Sequence, residues 1–244
     1  MDSAAQHPED DRYSYSTRAL ARLVLSDQMS DIADHAASLV PTTGDRGWYP
    51  GEIVAAARGL VDLAQAALVR AVLYERAAGT SWEIIGEVLE ITRQSAHAKF
   101  REDEQEWKEA LHEPYYESSG PIRNLRLPDA AYRPTDAGRR LDKWARTHCD
   151  EDGNPVTDGL PELSLIDELD QVLGAINHLY RDMYTPTDQD QRARMLDRKA
   201  ALLDRIAVET NRPQAAQQAQ EARALAAEIR RSKDAGHLRA VTDE

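Results

Sequence analysis

Apolar residues recur at helical spacing through most of the chain. Between Thr17 and Val40, Leu20, Leu23, Val24, Met29, Ile32 and Ala36 recur at helical spacing, which predicts a first helix. The loop Pro-Thr-Thr-Gly-Asp-Arg-Gly-Trp-Tyr-Pro-Gly follows from Pro41. A longer helix begins near Pro50, carries Ile53, Ala57, Leu60, Val61, Ala64, Leu68, Ala71 and Val72, and ends about Ala78, with Gly79 as its C-terminal cap. Two short helices lie between Ser81 and Arg101. The period then lapses. Residues 113–133 contain Pro114, Pro121 and Pro128 without a sustained repeat, and a modest helix after Thr135 places Leu141 and Trp144 on one face.

From Leu163 the period returns in three stretches. Leu165, Leu169, Val172, Leu173, Ile176, Leu179, Tyr180 and Met183 mark the first. Thr187 or Asp188 caps a second carrying Met195, Leu196, Leu202, Leu203 and Ile206. Pro213 opens a third with Ala219, Ala222, Leu225, Ala226 and Ile229. The pattern predicts an all-α protein. Residues 1–14 read as a disordered tail and 15–112 as a multi-helix domain with a helix-turn-helix at 81–101. An irregular linker with one short helix takes up 113–161, a C-terminal helical hairpin or coiled-coil module 162–236, and a tail 237–244. The C-terminal stripes suit either a dimer or an intramolecular bundle, and dimerisation is the favoured reading.

The stretch from Ala78 to Phe100 carries the most specific signal. Ser81 caps a first helix in which Ile85 and Leu89 share a face. Gly86, lacking a side chain, allows a second helix to cross closely, and Ile91 plugs the angle between the two. Thr92 caps the second helix, which buries Ala96 and Phe100 and leaves Arg93, Gln94 and His97 outward. A helix so presented fits the major groove, where Arg pairs with guanine O6 and N7 and Gln with adenine N6 and N7. Arg93, Gln94 and His97 are therefore the candidate base readers. Ser81, Thr92, Ser95, Lys99 and Arg101 are the candidate phosphate contacts.

Gly79, Ser81, Trp82, Ile85, Gly86, Leu89, Thr92, Arg93, Gln94, His97 and Phe100 together resemble the helix-turn-helix segments of bacterial regulators, the actinobacterial and sigma-factor-like ones especially. That resemblance implies double-stranded DNA binding through the second helix, and with it a sequence-specific transcriptional regulator. Glu90 departs from the pattern. It occupies a turn position usually held by glycine, where positive φ costs other residues roughly 1 kcal/mol or more.

Charge complicates this picture. The chain has 43 acidic and 30 basic residues, net −13, and from Ser81 to His112 eight acids face four bases, a balance of −4. DNA affinity rests largely on phosphate neutralisation. So much acid makes a dimer of two weak heads attractive and marks an acidic surface for an additional protein partner. Two alternative readings use the same motif: a protein-interaction adaptor of phage or plasmid type, and a DNA-segregation or organisation protein.

No catalytic motif, cofactor-binding loop or paired metal ligands are found, so the chain reads as a non-enzyme without cofactor or metal. The acidic stretch at 150–159 lacks the glycine placement and terminal Glu of a calcium loop and reads as a solvated turn. Tyr115, Tyr116 and Tyr132 with Arg123, Arg126 and Arg133 form either an arm along DNA or a strap across the helices. The single cysteine, Cys149, and the lack of an apolar span or signal segment predict a cytoplasmic protein outside the membrane.

Overall fold

The computed structural model describes residues 8–115, 124–181 and 186–242, and it is all-α. Nine α-helices occur among the described residues: α1 (Thr17–Ser38), α2 (Glu52–Ala77), α3 (Trp82–Val88), α4 (Arg93–His112), α5 (Asp129–Tyr132), α6 (Pro134–His148), α7 (Leu165–Arg181), α8 (Pro186–Glu209) and α9 (Pro213–Thr242). The chain divides into two compact units, Met1–Glu162 and Leu163–Glu244. None of the described helices is long and apolar enough to cross a membrane.

In the first unit, α1 and α2 pack along one another, and their core is completed from downstream. Leu20, Ala21 and Val24 of α1 and Leu73 of α2 meet Trp107 and Ala110 of α4, then Leu127, Ala130, Ala131, Tyr132 and Ala137. Residues 127–137 of the segment read as a linker at 113–161 are thus part of this core. α5, four residues long, is too short to show a period, and tertiary contacts hold it. Pro128 fixes the entry to α5, and α6 buries Ala137, Leu141 and Ala145 at spacings of four. The described half of the Tyr/Arg cluster is a strap: the Tyr115 and Tyr132 rings meet edge to face at 5.9 Å, and Arg126 bonds Glu109 at 2.7 Å. Tyr116 and Arg123 lie outside the described residues.

The expected N-terminal tail is folded over part of its length. Pro8–Ser14 forms a 3-10 helix in which Arg12 and Tyr13 are buried. The Asp11 carboxylate accepts the backbone N–H of Thr135 at 3.0 Å and its hydroxyl at 2.8 Å, capping α6 from a distant part of the chain. Residues 1–7 lie outside the described residues. α2 starts at Glu52 behind Gly51 at φ 93°, so Pro50 precedes the helix. The acidic loop after α6 is anchored by buried Asp142, which accepts the backbone N–H groups of Val156 and Thr157 at 2.8 and 3.1 Å and the Thr157 hydroxyl at 2.6 Å.

The second unit is a three-helix bundle. Val172, Ala175, Ile176 and Leu179 of α7, Met195, Leu196, Leu202 and Leu203 of α8, and Ala215, Ala219, Ala222 and Ala226 of α9 are buried. The alanine stripe of α9 brings its backbone close to α8. Glu168, also buried, is held by Arg198 at 2.7 Å and Arg205 at 3.3 Å. The stripes expected to form a dimer are therefore largely spent inside the unit. α8 begins at Pro186, so Thr187 and Asp188 fall inside its first turn rather than at its cap. α9 continues through Thr242, into the stretch read as a tail from 237.

Candidate functional site, the α3–α4 head

α2 ends at a glycine-capped turn. Gly79 has φ 89°, Thr80 N–H reaches back to Glu75 C=O at 2.9 Å, and Gly79 N–H bonds Arg76 C=O at 3.0 Å. Two residues later Ser81 caps α3 by accepting Ile84 N–H at 3.3 Å. The end of α3 repeats the device with a different residue. Ile91 N–H bonds Gly86 C=O at 2.9 Å, Glu90 N–H bonds Glu87 C=O at 3.2 Å, and Glu90 itself has φ 56°. The turn chemistry that favours glycine is thus carried by a glutamate. Thr92 then caps α4, accepting Ser95 N–H at 3.1 Å.

Gly86 sets how closely the two helices meet. A Cβ placed there would stand 2.8 Å from Ile91 O and 3.2 Å from Arg93 N, both backbone atoms that cannot give way cheaply. Beneath the crossing, Val72 of α2, Ile85 of α3 and Ala96 and Phe100 of α4 form a small core, flanked by Val69, Trp82 and Leu89. Ile91 does not plug this angle. It is 37 % exposed, because the closing turn of α3 swings it outward, and Leu89 packs in the angle instead.

One residue that sequence reasoning missed ties the head together. Arg76 donates from Nη1 to Thr80 O at 2.7 Å and from Nε to Glu104 at 3.3 Å, and its guanidinium lies 4.7 Å from the centre of the Trp82 ring. It therefore touches the turn, α3 and α4 from its place on α2. No local motif announces it, since its partners lie four to 28 positions away. The His97 ring also meets Trp82, edge to face at 5.5 Å.

α4 is held at both ends. Phe100 anchors it in the small core, and Trp107 and Ala110 anchor it in the main one. Arg93, Gln94, Ser95, His97, Ala98, Lys99 and Arg101 are all exposed. With Ala96, Phe100 and Trp107 inward, a rotation of 100° per residue places Ala98 and Gln94 farthest from the core, with Ser95 and Arg101 next on either side. His97 and Lys99 flank these, and Arg93, seven residues before Phe100, lies toward the buried stripe and is exposed as the first residue of the helix. The small Ala98 at the middle of this face was not singled out from the sequence, although a helical wheel centred on Phe100 finds it.

Charge is segregated along α4. Residues 93–101 hold Arg93, Lys99 and Arg101 and no acid, whereas 102–109 hold Glu102, Asp103, Glu104, Glu106 and Glu109 against Lys108. Several of those acids are engaged. Glu104 pairs with Arg76 at 3.3 Å and Lys108 at 3.0 Å, and Glu109 with Arg126 at 2.7 Å. Hydrogen bonds from Gln105 and Arg126 hold the Glu109 carboxyl below its ordinary range. Arg101 lies 3.9 Å from Glu102, Lys99 rests over the Phe100 ring, and the Thr92 and Ser95 hydroxyls are 2.9 Å apart. Among the described residues, Arg93 makes no ion pair and Gln94 no side-chain hydrogen bond. No group of metal-ligating side chains occurs among the described residues, and Cys149 is an exposed free thiol. Comparison of the chain with protein-family models, curated proteins and solved structures finds no match.

Proposed function

We propose that this protein binds double-stranded DNA sequence-specifically through α4 and acts as a transcriptional regulator. The supporting observation is the start of α4, residues 93–101. It forms a seated helix end with three cations, no acid, and an exposed Arg93 and Gln94 whose polar groups engage nothing else among the described residues. In this reading Arg93 and Gln94 contact base edges, and Ala98 lets the helix approach the groove floor. His97, braced by Trp82, reads beside Arg93. Ser95, Lys99 and Arg101 contact phosphates, as do the N-terminal ends of α3 and α4 with their caps Ser81 and Thr92. Because Ser81 and Thr92 already accept backbone N–H bonds, their hydroxyls act as donors to phosphate.

The test is selection of bound sequences from random duplex DNA, followed by anisotropy titration of the selected site. Arg93→Ala is expected to weaken that site by about 1–3 kcal/mol and to relax its sequence preference. Wild-type affinity in both Arg93→Ala and Gln94→Ala would remove the recognition role from α4. The net charge of −13 supports a second reading, in which the acidic body engages a protein partner. Failure to bind any duplex at low salt would leave that reading in its place.

A further inference from the structure

α1 covers one face of α2, with Ala67 and Leu73 buried and His35 Nε2 donating to Ala56 O at 3.3 Å. A second face of α2 is bare. Val54, Ala57, Val61, Ala64, Leu68 and Ala71 follow one another at alternating spacings of three and four, the repeat of a helix-pairing seam. Val54 is 73 %, Val61 52 % and Leu68 38 % exposed, and Ala57 and Ala64 are exposed as well. No polar residue interrupts the seam. Its C-terminal end opens into an apolar groove of about 260 Å³, lined among others by Leu68, Ala71, Ile84 and Val88, of which Ile84 is 52 % and Val88 77 % exposed.

The order of residues on the seam specifies its occupant. One heptad position is always branched (Val54, Val61, Leu68) and the other always alanine (Ala57, Ala64, Ala71). A parallel copy would set branched against branched and alanine against alanine, leaving alternate crowding and voids. An antiparallel copy sets Val54 on Ala71, Ala57 on Leu68 and Val61 on Ala64 of the other chain, then repeats the three pairs in reverse. Every layer then joins one large and one small residue. The same register brings the start of the second α2, with its exposed Ile53 and Val54, onto Ile84 and Val88.

We infer that α2 is a self-association surface, and that two copies of this protein pair through it antiparallel, with the two-fold axis midway between residues 62 and 63. From Val54 to Ala71 the seam runs roughly 26 Å. With a width of about 10 Å and the added groove, it buries on the order of 800 Å² in total, below the roughly 1,200 Å² of a stable specific interface and in the range of weak, transient pairs. The dimer is therefore reversible and concentration-dependent. Val72, beneath the α3–α4 head, lies about 14 Å along the helix from the axis, so the heads are at least about 28 Å apart, near the roughly 34 Å between successive half-sites on DNA. That last step alone rests on the proposed DNA binding. The pairing itself stands without it.

Sedimentation of the full chain over a concentration series, without DNA, is expected to rise from the 27.3 kDa monomer toward twice that mass. Val61→Glu places a carboxylate on a half-exposed position of the monomer but inside a closed layer of the dimer. It should weaken association at least about thirtyfold with an unchanged circular dichroism spectrum. A wild type that stays monomeric throughout, or a Val61→Glu variant that dimerises like wild type, overturns the inference. Register is tested by oxidation in a Cys149→Ser background. Val61→Cys with Ala64→Cys is expected to cross-link two chains, and Val54→Cys alone, roughly 26 Å from its copy, is not. Efficient cross-linking of Val54→Cys alone overturns the antiparallel pairing. A dimer that binds no duplex would uphold this inference while removing the DNA reading.

Discussion

Glu90 holds its backbone at φ 56° in the turn between α3 and α4, a conformation that costs an L-residue roughly 1–2 kcal/mol and glycine little. Its exposed side chain leaves no packing to lose on replacement. Glu90→Gly is therefore expected to stabilise the first unit by about 0.5–1 kcal/mol after the extra unfolded-state entropy of glycine is counted, which raises Tm by roughly 1–4 °C. Differential scanning calorimetry checks this, and a lower Tm would show that Glu90 makes a contact worth more than its strain. If the head binds DNA, the same change also removes a carboxylate from its edge, so affinity should rise and not fall. At this scale the sequence is most legible where the cause is local. Ser81, Thr92 and Gly79 are caps, and the burden on Glu90 follows from turn geometry that neighbouring residues set. Ile91 faces outward despite its hydrophobicity because the closing turn of α3 decides which way its side chain points.

At the scale of elements, Arg76 is the joint between α2 and the head. Its guanidinium combines a hydrogen bond to Thr80 O, an ion pair with the mostly buried Glu104 and a face of Trp82. Arg76→Ala should cost about 2–3 kcal/mol, since it strands Glu104 with only Lys108 and bares the indole. Hydrogen exchange should show the loss as faster opening of residues 82–100, with α1 little changed. Arg76→Lys should recover less than half, because an ammonium cannot donate in two directions from a planar fork that also stacks. Equal loosening of α1 would show that Arg76 supports the whole unit rather than the joint. α1 and α2 are readable as helices because apolar residues recur along them at helical spacing, but which of those residues are buried is not: α1 buries Ala19, Leu20, Ala21, Leu23 and Val24 with Ser30, and α2 only Ala67, Val72 and Leu73. α5 hides in a stretch that reads as a linker because it spans four residues and its alanines look like nothing until Leu20, Trp107 and Leu127 surround them. Arg76 belongs to the same class of hidden information: it becomes legible only when α2, α3 and α4 are brought together.

For the whole molecule the governing quantity is charge. A body of net −13 is repelled by DNA, so the proposed binding must be paid for by a small number of cations on a confined face. Arg93, Lys99 and Arg101 supply three per head. Counterion release then predicts a slope of log K against log salt of roughly −3 for one head and −5 to −6 for two, shallow beside binders with broad basic faces. Titration of the full chain against its selected site, across a salt series at fixed pH, measures this. Val61→Glu ties the two proposals together: a variant that cannot pair should keep its sequence preference, lose the steeper slope and bind with the weaker affinity of one head. A slope near −5 in that variant would mean that both contacts come from a single chain, and the cations would then have to lie on surfaces other than the first turns of α4.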